Sequence, residues 1–105
     1  MKYVYNKLVR DYIPENLNQA PGKSATYRML GEEEYIVELN KKLLEEANEF
    51  VVENAIEELA DMFEVIQSIM KVRKICYEDV KKVQDKKRKE KGGFDKRVYL
   101  IDVEE

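Results

Sequence analysis

The chain contains no histidine. That removes Ser-His and Cys-His catalysis and most zinc sites, so any catalysis must rest on carboxylates, lysine, tyrosine or a metal held by oxygen. There is a single cysteine, Cys76, so no disulfide can close within the chain, and a reducing compartment fits. Cys76 reads as a small helix-end hydrophobe rather than a catalytic thiol. The N-terminus lacks the apolar run of a signal peptide, and no stretch approaches the ~20 apolar residues of a membrane span. The expectation is a cytoplasmic protein with no membrane partner. Local positive charge is also missing. From Leu43 to Met70 there are eight acids (Glu45, Glu46, Glu49, Glu53, Glu57, Glu58, Asp61 and Glu64) and no Lys, Arg or His.

What is present is a chain of 105 residues, 44% hydrophobic and 39% charged. That length reads as one soluble domain, residues 1–105, with a modest core that would gain from oligomerisation. A net charge of −3 argues against general nucleic-acid binding. The charge is unevenly placed: the middle is acidic, whereas Lys81–Lys91 (KKVQDKKRKEK) is basic.

The pattern of apolar residues predicts an all-α fold. Residues 1–12 open with a short β-rich patch, IPENLN allows one helical turn with Pro14 near its start, and 19–25 is a loop by composition. TYRML reads as a short strand or an extended lead-in. A helix is expected over 32–52, with Ile36, Leu39, Leu43, Ala47 and Phe50 on one face. Asn54 then reads as an N-cap completed by Glu57 in a capping box, opening a helix over 55–74. That helix has two apolar stripes: Ile56, Leu59, Phe63, Ile66 and Met70, and Met62, Val65, Ile69 and Val72. A third long helix covers 77–91 and stops at Gly92-Gly93. The tail FDKRVYLIDVEE reads as a strand or extended arm. A helix apolar on two sides needs more neighbours than one hairpin supplies. A helical bundle built on an antiparallel hairpin, with extended ends and completed by a homodimer or higher homo-oligomer, is therefore expected.

At about 100° per residue, Glu46 and Glu49 flank the apolar stripe of the first long helix, and Glu45 points more nearly away. Glu58 and Asp61, also three apart, continue the second stripe of the next helix toward its start. A short antiparallel turn between Glu53 and Asn54 brings Glu49 level with Glu58 and Glu46 level with Asp61. Two carboxylates ~4 Å apart repel by about 4 kcal/mol at an effective dielectric near 20, which i, i+4 charge pairs of ~0.3–0.5 kcal/mol cannot offset. Three remedies remain: raised pKa values, lysines or arginines from another segment, or a divalent cation. Oxygen ligands on rigid helices suit Mg²⁺, and Mn²⁺ also fits. The plain alternative is a solvated acidic face.

EEANE (Glu45–Glu49) followed by ELAD (Glu58–Asp61) resembles the EExxE…ExxD signature of the all-α NTP pyrophosphatase superfamily. YNKLVRDYIPE near the start and KGGFDKRVYL near the end resemble its small MazG-like, phosphoribosyl-ATP pyrophosphohydrolase-like branch, so the resemblance covers nearly the whole chain. The resemblance implies an oligomeric α-helical bundle that uses Mg²⁺ to cleave nucleoside triphosphates to monophosphate and pyrophosphate. It carries over Glu46, Glu49, Glu58 and Asp61 as metal ligands and catalytic residues, with Glu45 as a further ligand or the group that orients the attacking water. Eight residues separate Glu49 from Glu58, fewer than the family usually shows.

For the substrate phosphates the candidates are Lys7 and Arg10 in the N-terminal motif, Lys87 and Lys91 one turn apart on the last helix, and Arg97. Surface solubility is the alternative account of each. Phe50 and Phe63 fit the core better than base stacking. The expected ligand is a nucleotide: a nucleoside triphosphate or phosphoribosyl-ATP. A non-enzymatic helical oligomerisation or regulatory module is the remaining alternative.

Overall fold

A computed structural model describes all 105 residues. It is all-helical, with four helices and no strand: α1 (Ile13–Gln19), α2 (Glu32–Glu53), α3 (Ile56–Val72) and α4 (Tyr77–Lys91). Two compact units divide the chain, Met1–Lys74 and Ile75–Glu105.

In the first unit, α1 begins at Ile13 and carries Pro14 in its first turn, where the fixed φ and missing N–H are tolerated. Beyond its end, Asn18 Oδ1 accepts the backbone N–H of Ala25 at 2.7 Å, pinning the loop in which Gly22 takes φ +74°. TYRML is a lead-in and not a strand. Within it the Arg28 guanidinium donates two bonds to Glu34, at 2.9 and 2.6 Å. This bidentate pair ties the incoming chain to the first turn of α2, where Glu32, Glu33 and Glu34 also suit the positive end of the helix dipole.

α2 and α3 pack on each other. The withdrawn residues of α2 follow a three-four spacing: Ile36, Leu39, Leu43, Glu46 and Phe50. Those of α3 do the same: Glu58, Met62, Val65, Ile69 and Val72. This is the alternation that keeps one stripe of a helix facing a neighbour. Leu39 is 3% exposed and Val65 8%. The other apolar stripe of α3 is left to solvent. Phe63, expected in the core, is 64% exposed, and Ile56, Leu59 and Ile66 are exposed beside it. Phe50 is half-buried.

The expected capping box at Asn54 does not form. Asn54 instead closes α2, in the left-handed region at φ 54°, ψ 30°, with its N–H donating to the Phe50 carbonyl at 2.7 Å. Asparagine is one of the few residues that tolerate this conformation. An N-cap needs extended backbone, so that position falls to Ala55, which has no side-chain cap. Two residues thus separate the helices, and the one that ends α2 cannot also cap α3.

In the second unit α4 has the expected bounds. Glu78 and Asp79 lie in its first turn and Arg88, Lys89 and Lys91 in its last, matching the dipole at both ends. Gly92, at φ +83°, stops it. Residues 98–105 are irregular and exposed, as are residues 1–7 at the other end. Both carry β-forming side chains, but a strand exists only where a second strand accepts its backbone hydrogen bonds, and neither segment has one.

Candidate metal centre

The stripe that α2 turns toward α3 changes character along its length. Seven residues after Leu39 the same face presents Glu46, 6% exposed. Seven residues before Val65 the buried face of α3 presents Glu58, 9% exposed. Two acids therefore occupy positions that the spacing reserves for apolar side chains. Each has one oxygen, Oε2, withdrawn from solvent and without any hydrogen-bond partner. Buried carboxylate oxygens are normally satisfied, because an unpaired one forfeits its hydration.

Glu46 has company. Glu45, Glu46 and Glu49 each place a carboxylate oxygen within 4.8 Å of the other two. Glu45, expected to point more nearly away, joins the group because its side chain is drawn in by two lysines. Lys7 Nζ donates to Glu45 Oε1 at 3.0 Å, and Lys42 Nζ lies 3.5 Å from Glu45 Oε2 and 3.4 Å from Glu46 Oε1. On α3, Asp61 accepts from Arg10 Nη2 at 2.7 Å. Glu58 and Asp61 stand outside the three-acid group: Glu58 has the Glu53 carboxyl beside it, and Asp61 is held by Arg10.

The electrostatics follow from these neighbours. Burial, and then the adjacent Glu49 carboxylate, push the Glu46 carboxyl above its ordinary range. The Glu53 carboxyl, and then burial, do the same to Glu58. Glu45 is shifted the other way, held below the usual carboxylate range by its hydrogen bond from Lys7. The same bond raises Lys7. Two of the three anticipated remedies for the repulsion therefore operate together: raised carboxyls at Glu46 and Glu58, and cations brought from a distant segment.

The donor set is oxygen only, which fits a hard divalent cation such as Mg²⁺ or Mn²⁺ better than a soft one. The unpartnered Oε2 atoms are the specific point of fit, since a cation would supply the partner each lacks. Glu45, Glu46 and Glu49 are the acids whose oxygens lie close enough together to hold it; Glu58 and Asp61, expected to join them, lie outside that group.

Lys7 and Arg10 are exposed, but each pairs with an acid of the acidic stretch. Lys87 and Lys91 are exposed on α4, and Arg97, at φ 59°, sits in the turn that follows it; all three belong to the second unit. Lys87 lines a shallow groove with Ile75, Val80 and Val83. Sequence reasoning missed Lys42. The signal was its i, i+3 and i, i+4 spacing to Glu45 and Glu46, one residue outside the base-free stretch. Cys76 is exposed and not a packed hydrophobe. Its thiol donates to Glu78 Oε2 at 2.7 Å, a contact that raises its pKa and opposes thiolate formation.

The chain matches no family model, no curated protein and no solved structure. No helix is long and apolar enough to cross a membrane. The residues themselves therefore carry the functional reading.

Proposed function

We propose that the protein is a Mg²⁺-dependent nucleotide pyrophosphohydrolase, able to use Mn²⁺, that releases pyrophosphate and a nucleoside monophosphate in the cytoplasm. The observation that carries this reading is the pair of buried, unpartnered carboxylate oxygens of Glu46 and Glu58 on an otherwise apolar helix seam. A solvated acidic face would leave these acids in water. An acid kept on a seam despite its cost points to a ligand that needs it there.

When bound, the cation supplies charge for the substrate phosphates and lowers the pKa of an attacking water. In this reading Glu46, Glu49, Glu58 and Asp61 would hold it, with α2 and α3 forming an antiparallel hairpin. Glu45 accepts the proton of the attacking water. Water attacks the α-phosphorus, the α–β bridging bond breaks, and pyrophosphate leaves with the bonding electron pair. Lys7 and Arg10, on the same unit as the acids, are the cations available to phosphate. Phosphoribosyl-ATP contains the same bond and is the second substrate class.

The exposed stripe of α3 (Ile56, Leu59, Phe63 and Ile66), together with exposed Val37, Leu44 and Val51 at seven-residue spacing on α2, supports a homodimer that completes a bundle. A module that only oligomerised would use this stripe and have no need of the buried acids.

The test is a nucleotide panel with Mg²⁺, assayed for pyrophosphate. Glu49→Gln and Asp61→Asn should each abolish turnover, about 100-fold or more for the loss of a catalytic group, with an unchanged circular dichroism spectrum. Orthophosphate without pyrophosphate rejects the bond assignment. Activity that persists in EDTA rejects the metal.

A further inference from the structure

Two contacts made by the N-terminal segment are not explained by stability. Residues 1–12 form no regular structure before α1. Yet from this segment Lys7 reaches α2 to pair with Glu45 at 3.0 Å, and Arg10 reaches α3 to pair with Asp61 at 2.7 Å. The nearby side chains Tyr3, Val4 and Tyr5 are well exposed. The segment therefore touches both helices through cations, and each cation lands on an acid of the candidate centre. Surface pairs of this kind contribute little to folding. Their location matters more: the two cations neutralise acids that would otherwise face the repulsion of their neighbours.

We infer that Lys7 and Arg10 are exchangeable cations, bound to Glu45 and Asp61 while no metal is present and transferred to the phosphates of the ligand once a divalent cation takes the acids. This inference rests on the metal reading above. A divalent cation and an ammonium or guanidinium group cannot share one carboxylate without repelling each other. Displaced, both groups remain on a segment anchored at the centre's edge, where a phosphate arriving with the metal is the next available anion. Arginine's planar fork suits a phosphate as well as a carboxylate, and lysine serves as a point charge. Lys42 also lies against Glu45 and Glu46, but it belongs to α2 and is not carried by the N-terminal segment.

The inference requires one substitution to have opposite effects on two ligands. Lys7→Ala and Arg10→Ala remove a competing cation, so each should tighten binding of Mn²⁺ alone, by about fivefold for an exposed pair. The same variants should weaken binding of inorganic pyrophosphate in saturating Mn²⁺, by about tenfold for the loss of a charge-assisted contact. Isothermal titration calorimetry measures both on the intact chain. Trypsin gives an independent readout, since it cuts after Lys7 and Arg10: saturating Mn²⁺ should speed cleavage of the wild-type segment, and pyrophosphate added with Mn²⁺ should slow it again. If Mn²⁺ affinity is unchanged or weaker in both variants, the exchange is wrong while the metal centre stands. If Mn²⁺ tightens but pyrophosphate binding is unaffected, the phosphate half is wrong. If wild-type protein binds no Mn²⁺ at all, the metal centre fails and the exchange with it.

Discussion

Leu39 and Glu46 stand two helical turns apart on one face of α2, and Val65 and Glu58 stand two turns apart on one face of α3. All four are withdrawn from solvent to nearly the same degree. Half of the seam is therefore oil and half is acid, within one packing pattern. At the apolar end, burial and packing act together: removing the side chains from water is the driving force, and their shape fills the space. At the acidic end they conflict. The same spacing forces a carboxylate where hydration is lost, and at one oxygen of each acid no hydrogen bond replaces it. Natural sequences are locally consistent except where function demands otherwise, so the acidic half is the place to look for that demand.

Substitutions at equivalent positions of the two halves should change stability in opposite directions. Leu39→Ala removes a well-buried side chain and should cost about 3 kcal/mol, lowering the melting temperature by about 15 °C. Glu46→Leu should do the reverse, because replacing a buried charged group with an apolar one of similar size removes its desolvation cost. A gain of about 1–2 kcal/mol, or roughly 5–10 °C, is expected in EDTA. Mn²⁺ should raise the melting temperature of the wild type and leave that of Glu46→Leu unmoved. Thermal melts followed by circular dichroism decide this. A Glu46→Leu variant destabilised as Leu39→Ala is would make the acid a structural residue.

The pH dependence of stability sharpens the same contrast. Glu46 and Glu58 have carboxyls raised above the ordinary 4.5. The folded state then binds protons more tightly than the unfolded state, so stability falls as pH rises through their folded values. Glu45, lowered by Lys7, contributes stability above about 4.5 that is lost as pH falls further. In EDTA the melting temperature should therefore increase from neutral pH down toward about 4.5 and drop below it. In saturating Mn²⁺ the upper arm should reverse, because the ion stabilises the ionised acids. A melting temperature that does not fall as the pH rises above about 4.5 in EDTA would mean that the surroundings of Glu46 and Glu58 do not raise their carboxyls.

The helices were legible because their signals are local. The face of α2 from Ile36 to Phe50 repeats every three or four residues, and Gly92 stops α4 with a backbone angle that most residues resist. The same spacing put Glu46 and Glu49 side by side, but it turned Glu45 away from them and placed Glu58 and Asp61 with them, whereas the cluster is Glu45, Glu46 and Glu49. What could not be read was which stripe of α3 faces α2. Both stripes have helical spacing, and the more aromatic one, with Phe63, is the exposed one. The rotation of α3 depends on the two-residue link after α2, a feature with no periodicity to reveal it. Nor could spacing place Lys7 on Glu45 or Arg10 on Asp61. Those partners are separated by 38 and 51 residues, and an irregular segment gives no rule for where it lands.

The link itself supplies the smallest effect and the finest test. Asn54 lies at the acidic end of the seam, and the rotation it imposes decides whether Glu58 is buried. If Asn54 were an N-cap, Asn54→Ser would be silent and Asn54→Gly would cost a few tenths of a kcal/mol. As a left-handed residue it reverses that order. Serine should cost about 1 kcal/mol, since its Cβ meets the following carbonyl. Glycine should be neutral or stabilising, because it reaches positive φ freely, offset by the extra freedom it gives the unfolded chain. Melting temperatures of the two variants, taken in EDTA, separate the cases by sign. Mn²⁺ affinity adds the connection to the centre: Asn54→Gly should keep it, because the turn keeps its shape, whereas Asn54→Ser should weaken it through the strain passed to α3. A serine variant that is both as stable as wild type and as tight for Mn²⁺ would remove Asn54 as the determinant of the acidic end.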